Sequence, residues 1–327
     1  MKSTGKLICA AALCLGSMLG AGAQSVSFNR EGRLKIVQFT DIHWVAGKAE
    51  TAEAAANMNR ILDEEKPDIV IYTGDITTGR PATEGLDKAF EPAISRGIPY
   101  AVTFGNHDDE QDLTRPQLYD CVKTRQGCLN AEAEGPDFAI TVTPYGGTQP
   151  KAVLYVMDSN AYSTINGLKG YGWFRRDQTD RYAARSAGLT RANGGRPLPA
   201  LAFFHIPLPE YNEAASAENN PLVGRRGERA CSPAVNTGMF AAMLEAGDVM
   251  GTFVGHDHVN NYVTPWHGIL LCYGQFTGGR TTYTDGTRGA RVIELTEGRR
   301  GFKTWIRMSD GSTAGMVNWP DDFDRKQ

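Results

Sequence analysis

Histidine is scarce in this chain, with six residues in 327, and cysteine is equally scarce at six. No two cysteines are spaced C-x-x-C, which argues against a zinc site built from four thiolates. Basic residues are not in excess. Lys and Arg number 34 against 37 Asp and Glu, a net charge of −3. A mildly acidic surface argues against nucleic acid as a partner, because binding to a phosphate backbone relies on Lys and Arg. Apolar runs long enough to span a membrane are lacking too.

The one sustained apolar run lies at the start. Lys2 and Lys6 precede Leu7 to Leu19, and Ala21-Gly22-Ala23 follows. This pattern predicts a signal peptide over 1–23, cleaved after Ala23, and therefore an exported protein, periplasmic or secreted. Loss of two lysines would make the remaining chain more acidic still. Cys121, Cys128, Cys231 and Cys272 would remain, and an oxidising compartment permits disulfides. Cys121 and Cys128 are near enough to close a small loop, and the sequence leaves open whether they do.

What the chain does contain is alternation. Runs rich in Val, Ile and aromatics predict strands over 34–40, 68–73, 100–104, 138–143, 153–158, 201–204, 251–254, 269–273, 291–295 and 302–306. Helices are expected over 51–65, 84–95, 115–124, 177–187 and 234–246. In the first, Ala54, Met58, Ile61 and Leu62 share one face. The early strand–helix–strand order implies right-handed parallel crossovers, and the later, closer strands suggest antiparallel or mixed pairing. Two sheets packed face to face, with helices outside each, would bury so many apolar strands. We expect one α/β domain over 24–308 and a polar surface tail over 309–327. Long loops at 109–136, 159–199 and 207–232 are where specificity usually resides.

The few histidines are not scattered. They stand in Asp41-Ile42-His43, Gly105-Asn106-His107-Asp108, His205 and Gly255-His256-Asp257-His258, with Gly74-Asp75 between the first two. Each group closes an expected strand, at the carboxyl end where open α/β sheets place their ligands. The two-residue spacing of Asp41 and His43 predicts side chains on one side of a pleated strand. A set of His, Asp and Asn without Cys suits Zn, Fe, Mn or similar ions. Asp41, His43, Asp75, Asn106, His205, His256 and His258 are too many for one catalytic zinc, and they suit two ions sharing a carboxylate. Alone, an Asp at a strand end is ordinarily a cap, and Gly-Asn-His-Asp is ordinarily a turn. It is their joint order that carries the metal reading. His267 is left over and reads as structural.

The order D-x-H, G-D, G-N-H-D, a strand-end His and G-H-x-H resembles the calcineurin-like metallophosphoesterases from Asp41 to His258. The segments 105–110, 203–211 and 245–262 are similar to the small single-domain branch of purple-acid-phosphatase-like proteins. The resemblance implies a four-layer α/β/β/α sandwich of two mixed sheets. It implies that Asp41, His43 and His258 bind one metal, that Asp75 bridges, and that Asn106, His205 and His256 complete the second site. His107 would contact the phosphoryl group or protonate the leaving group. In true purple acid phosphatases a tyrosine follows the bridging aspartate by three residues, and here that position is Thr78. The colour-giving ferric site is thereby put in doubt, and the metal pair stays open.

The expected activity is dinuclear-metal hydrolysis of a phosphate ester, a phosphomonoesterase acting through a metal-bridging hydroxide. Phosphodiesterase activity on the same core and non-catalytic binding of a phosphorylated ligand are the alternatives. Asp108 either orients His107 or shapes a turn. Arg225 and Arg226 form either a phosphate-recognition loop or a solvated charge cluster. Tyr162, Tyr171 and Trp173 would stack on a leaving group or pack their loop. The expected partner is a small phosphorylated substrate, with the chain a monomer or simple homo-oligomer.

Overall fold

The computed structural model describes residues 24–282 and 287–324. The expected signal peptide lies outside the described residues.

Two sheets face each other. The first contains β2 (Arg33–Phe39), β3 (Ile69–Thr73), β4 (Tyr100–Thr103), β11 (Gly289–Thr296), β12 (Phe302–Met308) and β13 (Thr313–Trp319), in the order β13-β12-β11-β2-β3-β4. The second contains β1 (Gln24–Ser27), β5 (Phe138–Thr143), β6 (Ala152–Val156), β7 (Ala200–Phe203), β8 (Val249–Val254), β9 (Val263–Trp266) and β10 (Ile269–Tyr273), in the order β1-β5-β6-β7-β8-β10-β9.

Period-two geometry explains why these strands are apolar throughout. In β3, Ile69 and Ile71 face the layer between the sheets, while Val70 and Tyr72 face outward under helices. In β6, Leu154 and Val156 enter the same central layer and Val153 and Tyr155 face the opposite flank. Helices α1 (Ala52–Glu65) and α2 (Ala82–Ile94) cover the six-stranded sheet. Helices α4 (Arg176–Ala192), α5 (Glu210–Ser216) and α6 (Met239–Ala246) cover the other, and α3 (Arg115–Lys123) joins the first group through Leu118 and Val122. The result is the four-layer α/β/β/α sandwich. The face predicted for α1 is the one buried: Ala54, Met58, Ile61 and Leu62 are at most 1% exposed.

Pairing among the later strands is mixed, as expected: β6 to β7, β7 to β8 and β8 to β10 are parallel, while β9 to β10, β11 to β12 and β12 to β13 are antiparallel. Other expectations are corrected. The tail is not a loose strap from residue 309. It continues the sheet as β13, which inserts Val317 and Trp319 into the central layer. Helix α6 begins at Met239, after Gly238 at φ 86°, and not at Ala234. Cys121 and Cys128 are free thiols, as are Cys231 and Cys272.

One polar tie secures a flank. Glu65, at the end of α1, accepts hydrogen bonds from Trp305 Nε1 at 3.0 Å and Arg307 Nε at 2.6 Å on β12, and from Lys35 Nζ at 3.2 Å on β2. Burial alone would raise this carboxyl. The donors outweigh burial and hold it below its ordinary value.

Candidate metal centre

Five strands end at one rim, and each releases a residue of the expected set. After β2 come Asp41 and His43, after β3 Asp75, and after β4 Asn106. After β7 comes His205, and after β8 come His256 and His258. The six-stranded sheet thus supplies Asp41, His43, Asp75 and Asn106, and the seven-stranded sheet supplies His205, His256 and His258. The site lies on the seam between them.

The pleat does not aim Asp41 and His43. Strand β2 stops at Phe39, and the chain then turns through left-handed backbone, with φ 55° at Asp41 and 49° at His43. Asp75 at 50° and His256 at 77° share this conformation. For residues with a Cβ it is sparsely populated and costs energy, and such positions cluster at functional sites. Close approach makes its own demand. A Cβ on Gly105 would stand 2.1 Å from Asp75 Oδ1 and 2.7 Å from His205 Nε2, so only glycine fits beside these donors.

The donor atoms fall into two groups that share Asp75. Those of Asp41, His43, Asp75 and His258 lie within 4.8 Å of one another, as do those of Asp75, His205 and His256. His43 Nε2 is 3.0 Å from His258 Nε2, and Asp75 Oδ2 is 3.6 Å from His43 Nε2 and 3.3 Å from His205 Nε2. All seven expected ligands are buried, at no more than 8% exposure.

These residues fit a pair of cations. Asn106 Oδ1, His205 Nε2 and His256 Nε2 are buried without a hydrogen-bond partner, although such atoms are costly to leave unpaired. His205 Nδ1 is 2.7 Å from the carbonyl of Thr73. A carbonyl only accepts, so Nδ1 carries the hydrogen and Nε2 is the ring atom left to meet a cation. Asp41 is oriented by the backbone N–H of His256, at 3.0 Å and 3.1 Å from its two oxygens, and by the Thr40 hydroxyl at 2.8 Å.

The electrostatics agree. Burial pushes His43 down to about 4 and, together with the charge of His205, pushes His256 down to about 3, which leaves neutral imidazole donors at neutral pH. At His205 burial works the same way, but the Asp75 and Asp41 carboxylates outweigh it and raise the ring to about 9. Positive charge is therefore favoured at that position. Burial would raise Asp75, yet His205 and His43 hold it well below the usual carboxylate range.

The remaining candidates divide. His107 stands at the rim, its ring 5.7 Å from that of His43 and its side chain 40% exposed. Asp108 does not orient it. The buried Asp108 carboxylate accepts four backbone N–H groups, from Asp75 at 2.9 Å, Ile76 at 2.8 Å, Thr77 at 3.0 Å and Gly105 at 2.7 Å, and so shapes the turns that carry the ligands. The group that meets His107 is Glu110, whose Oε2 is 2.8 Å from Nδ1. Sequence reasoning passed over it. The signal was the acidic run Asp108-Asp109-Glu110, whose 3-10 turn brings the third residue back to the histidine.

Tyr162 and Tyr171 stack at 5.8 Å, and Tyr171 stands edge-on to His256 at 4.4 Å. Trp173 is buried and covered by Arg175, so it packs its loop. The Arg226 guanidinium bonds to the Ala215 carbonyl at 2.6 Å and the Ser216 hydroxyl at 3.1 Å, at the end of α5. Arg225 is held through its backbone N–H by Asn261 at 2.7 Å. Asp257 turns away from the metal donors and accepts from Tyr273 at 2.6 Å and from the Cys231 N–H. His267 is exposed in the turn between β9 and β10. Tyr72, which precedes the bridge, is occupied elsewhere, donating to the Ala89 carbonyl at 3.0 Å.

The sequence profile described as calcineurin-like phosphoesterase matches residues 34–260. The chain belongs to that family. Among curated relatives, "Probable inactive purple acid phosphatase 29" of Arabidopsis thaliana is 32% identical, over 92% of this chain and 89% of its own. "Probable inactive purple acid phosphatase 14" of the same plant is 30% identical, over 91% and 86%. "Phosphatase DCR2" of Saccharomyces cerevisiae is 31% identical, over 88% of this chain and 56% of its own. A dimetal phosphatase from Danio rerio shares the fold, with a TM-score of 0.62 over 87% of this chain and 98% of its own at 11% identity. In this calcineurin-like phosphoesterase no described helix is long and apolar enough to cross a membrane.

Proposed function

We propose that this calcineurin-like phosphoesterase is a dinuclear-metal phosphomonoesterase. The observation that carries the reading is the convergence of the His205 and His256 donors, each buried and unpartnered at Nε2, on the Asp75 carboxylate, with Asn106 Oδ1 likewise buried and unpartnered at the adjoining strand end. Asp41, His43 and His258 would hold one ion, Asn106, His205 and His256 the other, and Asp75 both. Iron, manganese and zinc all suit the set. When bound, the two cations supply positive charge for the phosphoryl oxygens and an acidified water.

The chain's own residues do the rest. The backbone N–H of His107 donates to Asp75 Oδ1 at 2.9 Å, which fixes the base of the side chain beside the ligands. Its ring holds a proton for the leaving oxygen at the solvent rim. The left-handed turns and Asp108 keep the donors in place, so little reorganisation is needed on binding. The substrate would be a small phosphorylated molecule met outside the cytoplasm.

A second reading has an observation behind it: three of the curated relatives carry "inactive" in their names. A retired site is free to lose its donors, whereas here the whole set and His107 are in place. Phosphate release from p-nitrophenyl phosphate and from bis(p-nitrophenyl) phosphate, with Zn, Mn and Fe supplied in turn, separates the possibilities. Turnover of the monoester supports the proposal, and turnover of the diester alone gives a phosphodiesterase. Tight phosphate binding without turnover gives a binding protein.

A further inference from the structure

Between His107 and Asn106 runs a chain of hydrogen bonds through Glu110 and Tyr162, neither of which belongs to the expected ligand set. Asn106 Nδ2 is 3.0 Å from Tyr162 Oη, Tyr162 Oη is 2.8 Å from Glu110 Oε1, and Glu110 Oε2 is 2.8 Å from His107 Nδ1. The direction of each bond follows from chemistry. An ionised carboxylate only accepts. Tyr162 must therefore give its single proton to Glu110, and its oxygen can only accept from Asn106. That places the amide nitrogen of Asn106 toward Tyr162 and leaves Oδ1 as its buried, unpartnered atom, the one that would be offered to a metal. At the other end, Nδ1 of His107 must carry a hydrogen, which leaves Nε2 as the ring nitrogen available to a substrate.

Tyr162 reaches this position on a two-stranded ribbon. It bridges to Tyr171, Ser163 N–H donates to the Gly170 carbonyl at 2.9 Å, and Gly172 N–H donates to the Ala161 carbonyl at 2.9 Å. The foot of the ribbon is held by Asn160, whose side chain donates to the Trp173 carbonyl and to Gln178, each at 2.9 Å.

We propose that Glu110 and Tyr162 are positioning residues for the reaction, Glu110 by fixing the His107 ring and Tyr162 by fixing the amide of Asn106. The proposal deepens the phosphoesterase reading and rests on it. One carboxylate sets both ends of the chain of bonds, so the ribbon, the second metal position and the proton donor are aligned together.

The test uses Glu110→Ala, Glu110→Gln and Tyr162→Phe in the full-length protein. Both residues are near the surface, so folding is checked simply by an unchanged melting temperature. Phenyl phosphate has a basic leaving group that needs a proton, whereas p-nitrophenolate departs with little help. Glu110→Ala should lower kcat on phenyl phosphate about 10-fold or more beyond its effect on p-nitrophenyl phosphate, with KM little changed. Glu110→Gln, which keeps an acceptor oxygen for His107, should recover part of the loss. Tyr162→Phe keeps the stacked ring and should weaken one of two metal sites about 10-fold in competition with a chelator. An equal loss on both substrates in Glu110→Ala, or no loss, overturns the proposal, and so does wild-type metal affinity in Tyr162→Phe. A wild-type protein that binds two ions but turns over neither substrate defeats the phosphoesterase reading instead, and the metal-affinity arm can still be read.

Discussion

The carboxylate of Asp108 lies 2.9 Å from the backbone nitrogen of Asp75 and accepts from three further backbone N–H groups. A side chain next to His107 in sequence thus acts on the end of the neighbouring parallel strand. Asp108→Ala would leave buried N–H groups unpaired. It should destabilise the fold by about 3 kcal/mol or more and lower the bound metal per chain, as read by thermal melting and elemental analysis. A fully stable variant holding both ions would refute this role.

His107 and the metal donors should separate cleanly. His107→Ala is expected to lower kcat roughly 10²–10⁴-fold while the protein still carries its metals. Asn106→Ala and His256→Ala should instead lose about one ion per chain. Stripping the metals from wild type should reduce the melting temperature, and adding them back should restore it, because ligands that bind only the folded state stabilise it.

Gly105→Ala places a Cβ against Asp75 and His205. We expect a protein with native circular dichroism that fails to hold the second ion. Normal metal content in this variant would show that the rim yields more than its packing indicates.

Glu65 gives a pH signature away from the rim. Its folded pKa is depressed by donors on β2 and β12, so its stabilisation is present above the unfolded value, about 4.5, and is lost as pH falls toward the folded value. Glu65→Gln should be less stable than wild type at pH 7, and the gap should narrow below about pH 4.5. Denaturant melts across that range measure it. A gap that stays constant or widens on acidification would rule out the linkage.

Much of this was legible in the chain itself, for a physical reason. Strands buried on both faces, such as β3 and β6, are apolar nearly throughout, and side chains able to hold a metal come from a short list that includes His, Asp and Asn. Edge strands escape that pressure. β1 is Gln-Ser-Val-Ser, β9 carries Pro265, which an edge strand tolerates, and β13 contributes only Val317 and Trp319 to the core. None of the three carries the run of large buried side chains that marks the central strands. The aim of Asp41 and His43 was misread because a pleat and a left-handed turn can both bring alternate residues to one side. Glu110 was missed because its partner is set by a single 3-10 turn, which leaves no periodic trace. Arg226 was a reasonable phosphate contact by composition, but the end of α5 offers its guanidinium a carbonyl and a hydroxyl close by.

The donors are drawn from both sheets and from positions as far apart as Asp41 and His256, which are 215 residues apart. No fragment of the chain contains a usable site. Metal therefore cannot nucleate this fold in the way it nucleates a zinc finger, whose ligands lie within one short segment. The sandwich has to close first, drawn together by its apolar central layer, and only then do the donors exist as a set. Any metal taken up at this rim would therefore bind after the sheets have packed, to donors already held in place.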